Sequence, residues 1–143
     1  MYYDMKSLDK FVSAQARDYD TALYEIRGGR KRSHWMWYIF PQLQGLGFSS
    51  TAQYYGIQDL EQAMDYMEHP VLGPRLVEIS EALLALDSSN PSAVMGYPDD
   101  LKLCSCMTLF ELAAPDQPVF GRVLDKFYGG RRDYRTLELL GKA

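Results

Sequence analysis

Arg27-Gly-Gly-Arg30-Lys31-Arg32 places four positive charges within six residues, and Ser33 and His34 follow at once. A Gly-Gly turn running through guanidinium groups into a helix that begins at Ser33 brings charge-assisted donors, backbone N–H groups and a helix dipole onto one anion. Phosphate is the anion that suits such a set. The full phosphate-loop pattern Gly-x-x-x-x-Gly-Lys-Ser/Thr is absent. The plainer reading of Arg30, Lys31 and Arg32 is a solvated turn whose charges pair with nearby acids. His34, one of two histidines, reads either as a general acid or base beside the anion or as a core imidazole bonded to a backbone carbonyl. His69, ahead of Pro70, reads as a dipole-compatible residue at a helix C-terminus.

Residues 33–58 contain no Asp, Glu, Lys or Arg, yet hold seven of the nineteen aromatic side chains: Trp35, Trp37, Tyr38, Phe40, Phe48, Tyr54 and Tyr55. A basic turn leading into such a stretch offers a phosphate grip and a stacking wall for a ring, with Trp35 and Trp37 as the wall. Aromatics at this density also build cores. Gln42 and Gln44 are polar and uncharged, and need partners wherever they are buried, so Gln42 joins the candidate binding residues.

From Asp59 to Asp116 there are eleven acidic residues against two basic ones, Arg75 and Lys102. Those two are the outer contacts expected for the anion site, Lys102 being equally well placed as a capping-region cation after Asp99 and Asp100. Cys104 and Cys106 are two apart, a spacing that forms no ordinary helical disulfide and lacks the further ligands of a zinc site. On a buried helix they behave as small hydrophobes. No catalytic thiol, metal or cofactor is expected.

These residues must be positioned by a chain of 143 residues, 47% hydrophobic, enough for one domain, residues 1–143, that buries roughly 70% of its unfolded surface. Nineteen acidic against fifteen basic residues give a formal charge of −4, which argues against general nucleic-acid binding. The longest apolar run of the uncharged stretch, 35–40, falls short of the ~20 residues that span a bilayer. The opening residues 1–6 do not resemble a leader. With reduced thiols, these features point to the cytoplasm. Composition leaves the oligomeric state open.

The apolar period is helical. Leu8, Phe11 and Val12 share a face; Leu72, Leu76, Ile79, Leu83 and Leu86 form one continuous stripe; and the segment around 100–114 carries two neighbouring stripes, through Leu103, Met107 and Phe110 and through Leu101, Cys104 and Leu112. Val119 to Phe127 is amphipathic and ends at Gly129-Gly130, where a left-handed residue is wanted. Asp20 is expected to cap a helix that Gly28-Gly29 stops, Asp59 a helix to Glu68, and Asn90-Pro91 and Asp99-Asp100 each to start one. The segment 34–41 is expected to be a short helix, because no second strand-like run exists to pair with it. The expected fold is all-α, a single compact domain of about seven to nine short helices packed around a central apolar helix near 100–114.

The string from Gly28 through Arg30-Lys-Arg-Ser-His-Trp-Met-Trp-Tyr-Ile-Phe-Pro-Gln-Leu-Gln-Gly-Leu-Gly47 resembles domain of unknown function 1810, a family of small, mainly helical proteins. The resemblance extends through Tyr55-Gly-Ile, His69-Pro-Val-Leu-Gly73, Lys102-Leu, Met107-Thr-Leu-Phe110 and Thr136-Leu. It implies a helical fold and no particular activity. The residues themselves suggest a helical protein that holds a small phosphorylated or nucleotide-like ligand in one pocket formed by Arg30, Lys31, Arg32, Ser33, Trp35, Trp37 and Gln42, with His34 as the proton-transfer group if the ligand is turned over. The alternative is a non-catalytic module whose basic turn docks an acidic partner protein.

Overall fold

The computed structural model describes residues 8–143. Residues 1–6, read above as no leader, are outside the described part. Among the described residues there are nine helices and no strand: α1 Asp9–Arg27, α2 Met36–Ile39, α3 Ser50–Tyr54, α4 Leu60–Glu68, α5 Leu72–Leu84, α6 Pro91–Met95, α7 Asp99–Ala113, α8 Val119–Tyr128 and α9 Tyr134–Leu139. A single parallel bridge pairs Leu43 with Ile57.

α7 is the helix against which α4, α6, α8 and α9 pack, and its residues from Ser105 to Phe110 are all buried. Polarity on it is satisfied locally. The Thr108 hydroxyl donates to the Cys104 carbonyl and accepts from the Asp133 amide, while the Ser105 hydroxyl donates to the Asp133 carboxylate that caps α9. Phe110 meets Tyr66 of α4 at 5.1 Å and Phe120 of α8 at 6.1 Å, and Tyr66 meets Phe11 of α1 edge-on at 5.4 Å. These rings join four helices through one core.

The caps follow side-chain chemistry. Asp59 accepts from the Gln62 amide, Asn90 from Ser92 and Ala93, and Gly129 ends α8 at φ +63°. Two expectations are corrected. Asp20 caps nothing: α1 is continuous across it, because 9–27 contains neither Gly nor Pro and the buried stripe of Phe11, Ala14, Tyr19, Ala22, Leu23 and Ile26 never breaks. His69 stands at the end of α4, but its side chain serves the next helix rather than the dipole of α4. Its Nδ1 accepts the Val71 and Leu72 amides at 3.1 and 3.3 Å, satisfying the start of α5. No helix among the described residues is long and apolar enough to cross a membrane.

Candidate functional site

α1 delivers the basic turn. Its last carbonyls are closed by the amides of Gly28, Gly29 and Arg30, with Gly29 at φ +86°. The chain then runs without helix through residues 30–34, and exposure alternates: Arg30, Arg32 and His34 are exposed, whereas Lys31 and Ser33 are partly buried. This is the two-residue period of an extended backbone. Ser33 is therefore not a helix start; α2 begins at Met36, and its four residues offer no N-terminal dipole of consequence.

Glu25 organises the turn from within. One oxygen of its carboxylate accepts the backbone amides of Arg32 at 2.8 Å and Ser33 at 2.9 Å and the Trp35 indole N–H at 2.9 Å; the other accepts the Ser33 hydroxyl. Burial pushes such a carboxyl up, but these four donors outweigh it and hold the group down at about 2. The amides expected to face a ligand thus already hold an internal anion. Nothing in the local pattern flagged Glu25 except that a carboxylate in the last turn of a helix opposes the helix dipole and needs compensating donors.

Lys31 also faces inward. Its amide donates to the Val94 carbonyl at 2.7 Å, and its ammonium pairs with Asp99 of α7, donates to the Ser33 carbonyl and lies 4.9 Å over the Trp35 ring. Trp35 itself is 1% exposed.

The expected single pocket is divided into two places. Arg30 and Arg32 line an open concavity of about 450 Å³ together with Tyr24, Glu25, Arg27 and Gly28 on the last turn of α1. Arg27, Arg30 and Arg32 form no ion pair with any described residue, and Tyr24 is 79% exposed. Arg27 also borders a second hollow that carries Glu78 and Glu81; Arg30 and Arg32, with no acid but Glu25 lining their own hollow, outweigh the roughly −0.5 charge at the C-terminus of α1 and that one carboxylate, whose oxygens are already bonded. Trp37, Gln42 and Lys102 line a separate narrow cleft with Met36, Phe40, Ala52, Tyr55 and Gly56, about 10 Å³ in volume. Arg75, on α5, lines neither place; its guanidinium stands 5.1 Å from the Tyr19 ring, with Nη1 buried and without a hydrogen-bond partner among the described residues. The His34 side chain lines neither and bonds no described residue. Among the described residues no three of His, Cys, Asp and Glu gather in a way that could hold a metal.

An all-α chain with this organisation has a counterpart in both sequence and structure. Residues 5–140 match the family described as protein of unknown function DUF1810, and the chain belongs to that family. It is similar to the conserved hypothetical protein Rv1873 from Mycobacterium tuberculosis, whose crystal structure superposes with a TM-score of 0.92 at 48% identity, covering 94% of this chain and 96% of that one. Comparison with curated proteins gives no match.

Proposed function

We propose that this protein binds a small phosphorylated, nucleotide-like ligand in the concavity at the end of α1, through Arg27, Arg30 and Arg32. The observation that carries the reading is the set of three guanidiniums around one hollow without an ion-pair partner among the described residues, the hollow's own carboxylate being turned inward onto backbone amides. Guanidinium forks match phosphate oxygens in pairs, which an ammonium cannot do. The hollow, at about 450 Å³, is within the usual range for small ligands. The exposed Tyr24 ring is the stacking surface available there, in place of Trp35 and Trp37. His34 does not line the hollow but shares the outward side of the loop with Arg30 and Arg32, and is the group on that side suited to proton transfer.

A second reading, a docking surface for an acidic protein, draws on the same free arginines and on the openness of the hollow. A melting-temperature screen separates the two. A nucleotide, sugar phosphate or ADP-ribose-like compound present at a hundred times its dissociation constant adds about 2.7 kcal/mol to the folded state. A broad panel that leaves the midpoint unmoved removes the small-ligand reading, and a shift with poly-glutamate alone puts the docking surface ahead.

A further inference from the structure

The cleft beside Trp37 lies apart from the arginine hollow, and its chemistry is unused there. Two features set it apart from a packing defect. The Lys102 ammonium makes no hydrogen bond to any described residue: Asp99 Oδ1 is 3.8 Å away, while the other Asp99 oxygen is held by Lys31 at 2.8 Å, and the ammonium stands 5.6 Å from the centre of the Trp37 ring. The half-buried Gln42 amide bonds no described residue either. A cation and an amide with unused hydrogen-bonding capacity therefore converge on an apolar floor of Met36, Trp37, Phe40 and Tyr55. Apolar walls with a few convergent polar groups are the make-up of a small-molecule site.

The space itself, about 10 Å³, holds roughly one water. A larger guest must displace a wall, and one wall is weakly held. α3, which contributes Ala52, buries none of its residues, and Phe48 before it is 83% exposed. The 44–56 segment is fastened at its base by the Gln44 amide to the Ile57 carbonyl and the Ile57 amide to the Gln42 carbonyl. Tyr55 stays with the core, its ring 5.7 Å from Phe11 and 5.1 Å from Tyr38. Segments with so few buried contacts open at far lower cost than the whole fold.

We propose that this cleft binds a planar aromatic monocarboxylate, its ring between Trp37 and Tyr55 and its carboxylate on Lys102 and Gln42. One ammonium with an aspartate nearby favours a single negative charge over a phosphate dianion, whose desolvation it does not offset. The test is a titration of the ¹⁵N-labelled chain with benzoate, and in parallel with inorganic phosphate, following the Trp37 indole N–H, the Gln42 side-chain amide and the Gly56 amide. Benzoate is expected to shift all three saturably and phosphate to leave them in place. Lys102→Gln and, separately, Gln42→Leu should weaken benzoate binding about tenfold or more with unfolding midpoints kept. Absent shifts, shifts centred on Arg30 and Arg32, or unchanged affinity in both variants would overturn the proposal. Neither substitution touches the arginines, so such a failure leaves the reading of the hollow standing.

Discussion

The Lys31 ammonium lies 2.8 Å from Oδ2 of Asp99, with the two side chains 7% and 19% exposed, so the single lysine of the basic turn holds that turn to the start of α7. Arg30 and Arg32, on either side of it, face solvent. The three cations should therefore separate in stability. Lys31→Ala leaves Asp99 without its close partner and should cost about 3 kcal/mol, whereas Arg30→Ala and Arg32→Ala should each stay within about 0.5 kcal/mol. Urea unfolding of the three variants is the check; equal losses would show that the turn is not divided in this way.

Glu25 makes stability depend on acid. Its carboxyl is held at about 2 in the folded chain, below the ~4.3 of an unfolded glutamate. The stabilisation it brings is full above the unfolded value and is lost as pH falls from there through the folded one, amounting to about 3 kcal/mol. Glu25→Gln, which sets an amide NH₂ against donors, should lower stability at neutral pH by a similar amount and flatten the decline between about pH 5 and 2. An acid profile unchanged by the substitution would deny that the four donors act on this group.

Both cysteines are unpaired. Burial pushes the Cys104 thiol up to about 11, with the Asp133 charge adding to the rise, and burial drives Cys106 well above its ordinary value. At pH 8 only about one Cys104 in a thousand is thiolate, the nucleophilic form. Iodoacetamide should label neither residue quickly in the native state and both after denaturation. Fast native labelling of either would expose a nucleophile that the packing conceals.

Gly73, in the first turn of α5, lies against the backbone of Met67 in α4. A Cβ there would lie 2.1 Å from the Met67 carbonyl oxygen, backbone against backbone. Gly73→Ala should cost about 2–3 kcal/mol. Gly28→Ala, at φ −78° with ordinary 3.4 Å contacts, should be close to neutral. Thermal midpoints distinguish them.

Much of this fold is written in a 3.6-residue period. The stripes through Leu72 to Leu83 and Leu103 to Phe110 became α5 and the central α7, and Asn90, Asp59 and Gly129 act as caps because a side-chain oxygen or an αL glycine can satisfy helix ends locally. The site was less legible, for a reason that lies in the loop. Whether Arg30 or Lys31 faces solvent depends on the extended path of residues 30–34, which is set by an acceptor on another element, Glu25, and by a counter-ion nearly seventy positions away, Asp99. Trp35 and Trp37 look equivalent in sequence, yet one donates its indole N–H to Glu25 in the core and the other lines the cleft under Lys102. Long-range partners of this kind leave no local periodicity.

The most direct test of the central claim is calorimetric titration of the full chain with ADP and, separately, with inorganic pyrophosphate, at low and at physiological salt. Both should bind saturably, ADP the more tightly because the base has Tyr24 to stack on, and both more weakly at the higher salt. Arg30→Lys and Arg32→Lys should each lose about tenfold in affinity, ~1.4 kcal/mol, with unfolding midpoints unchanged. Heats indistinguishable from dilution for both titrants, or full affinity in both lysine variants, would contradict the claim.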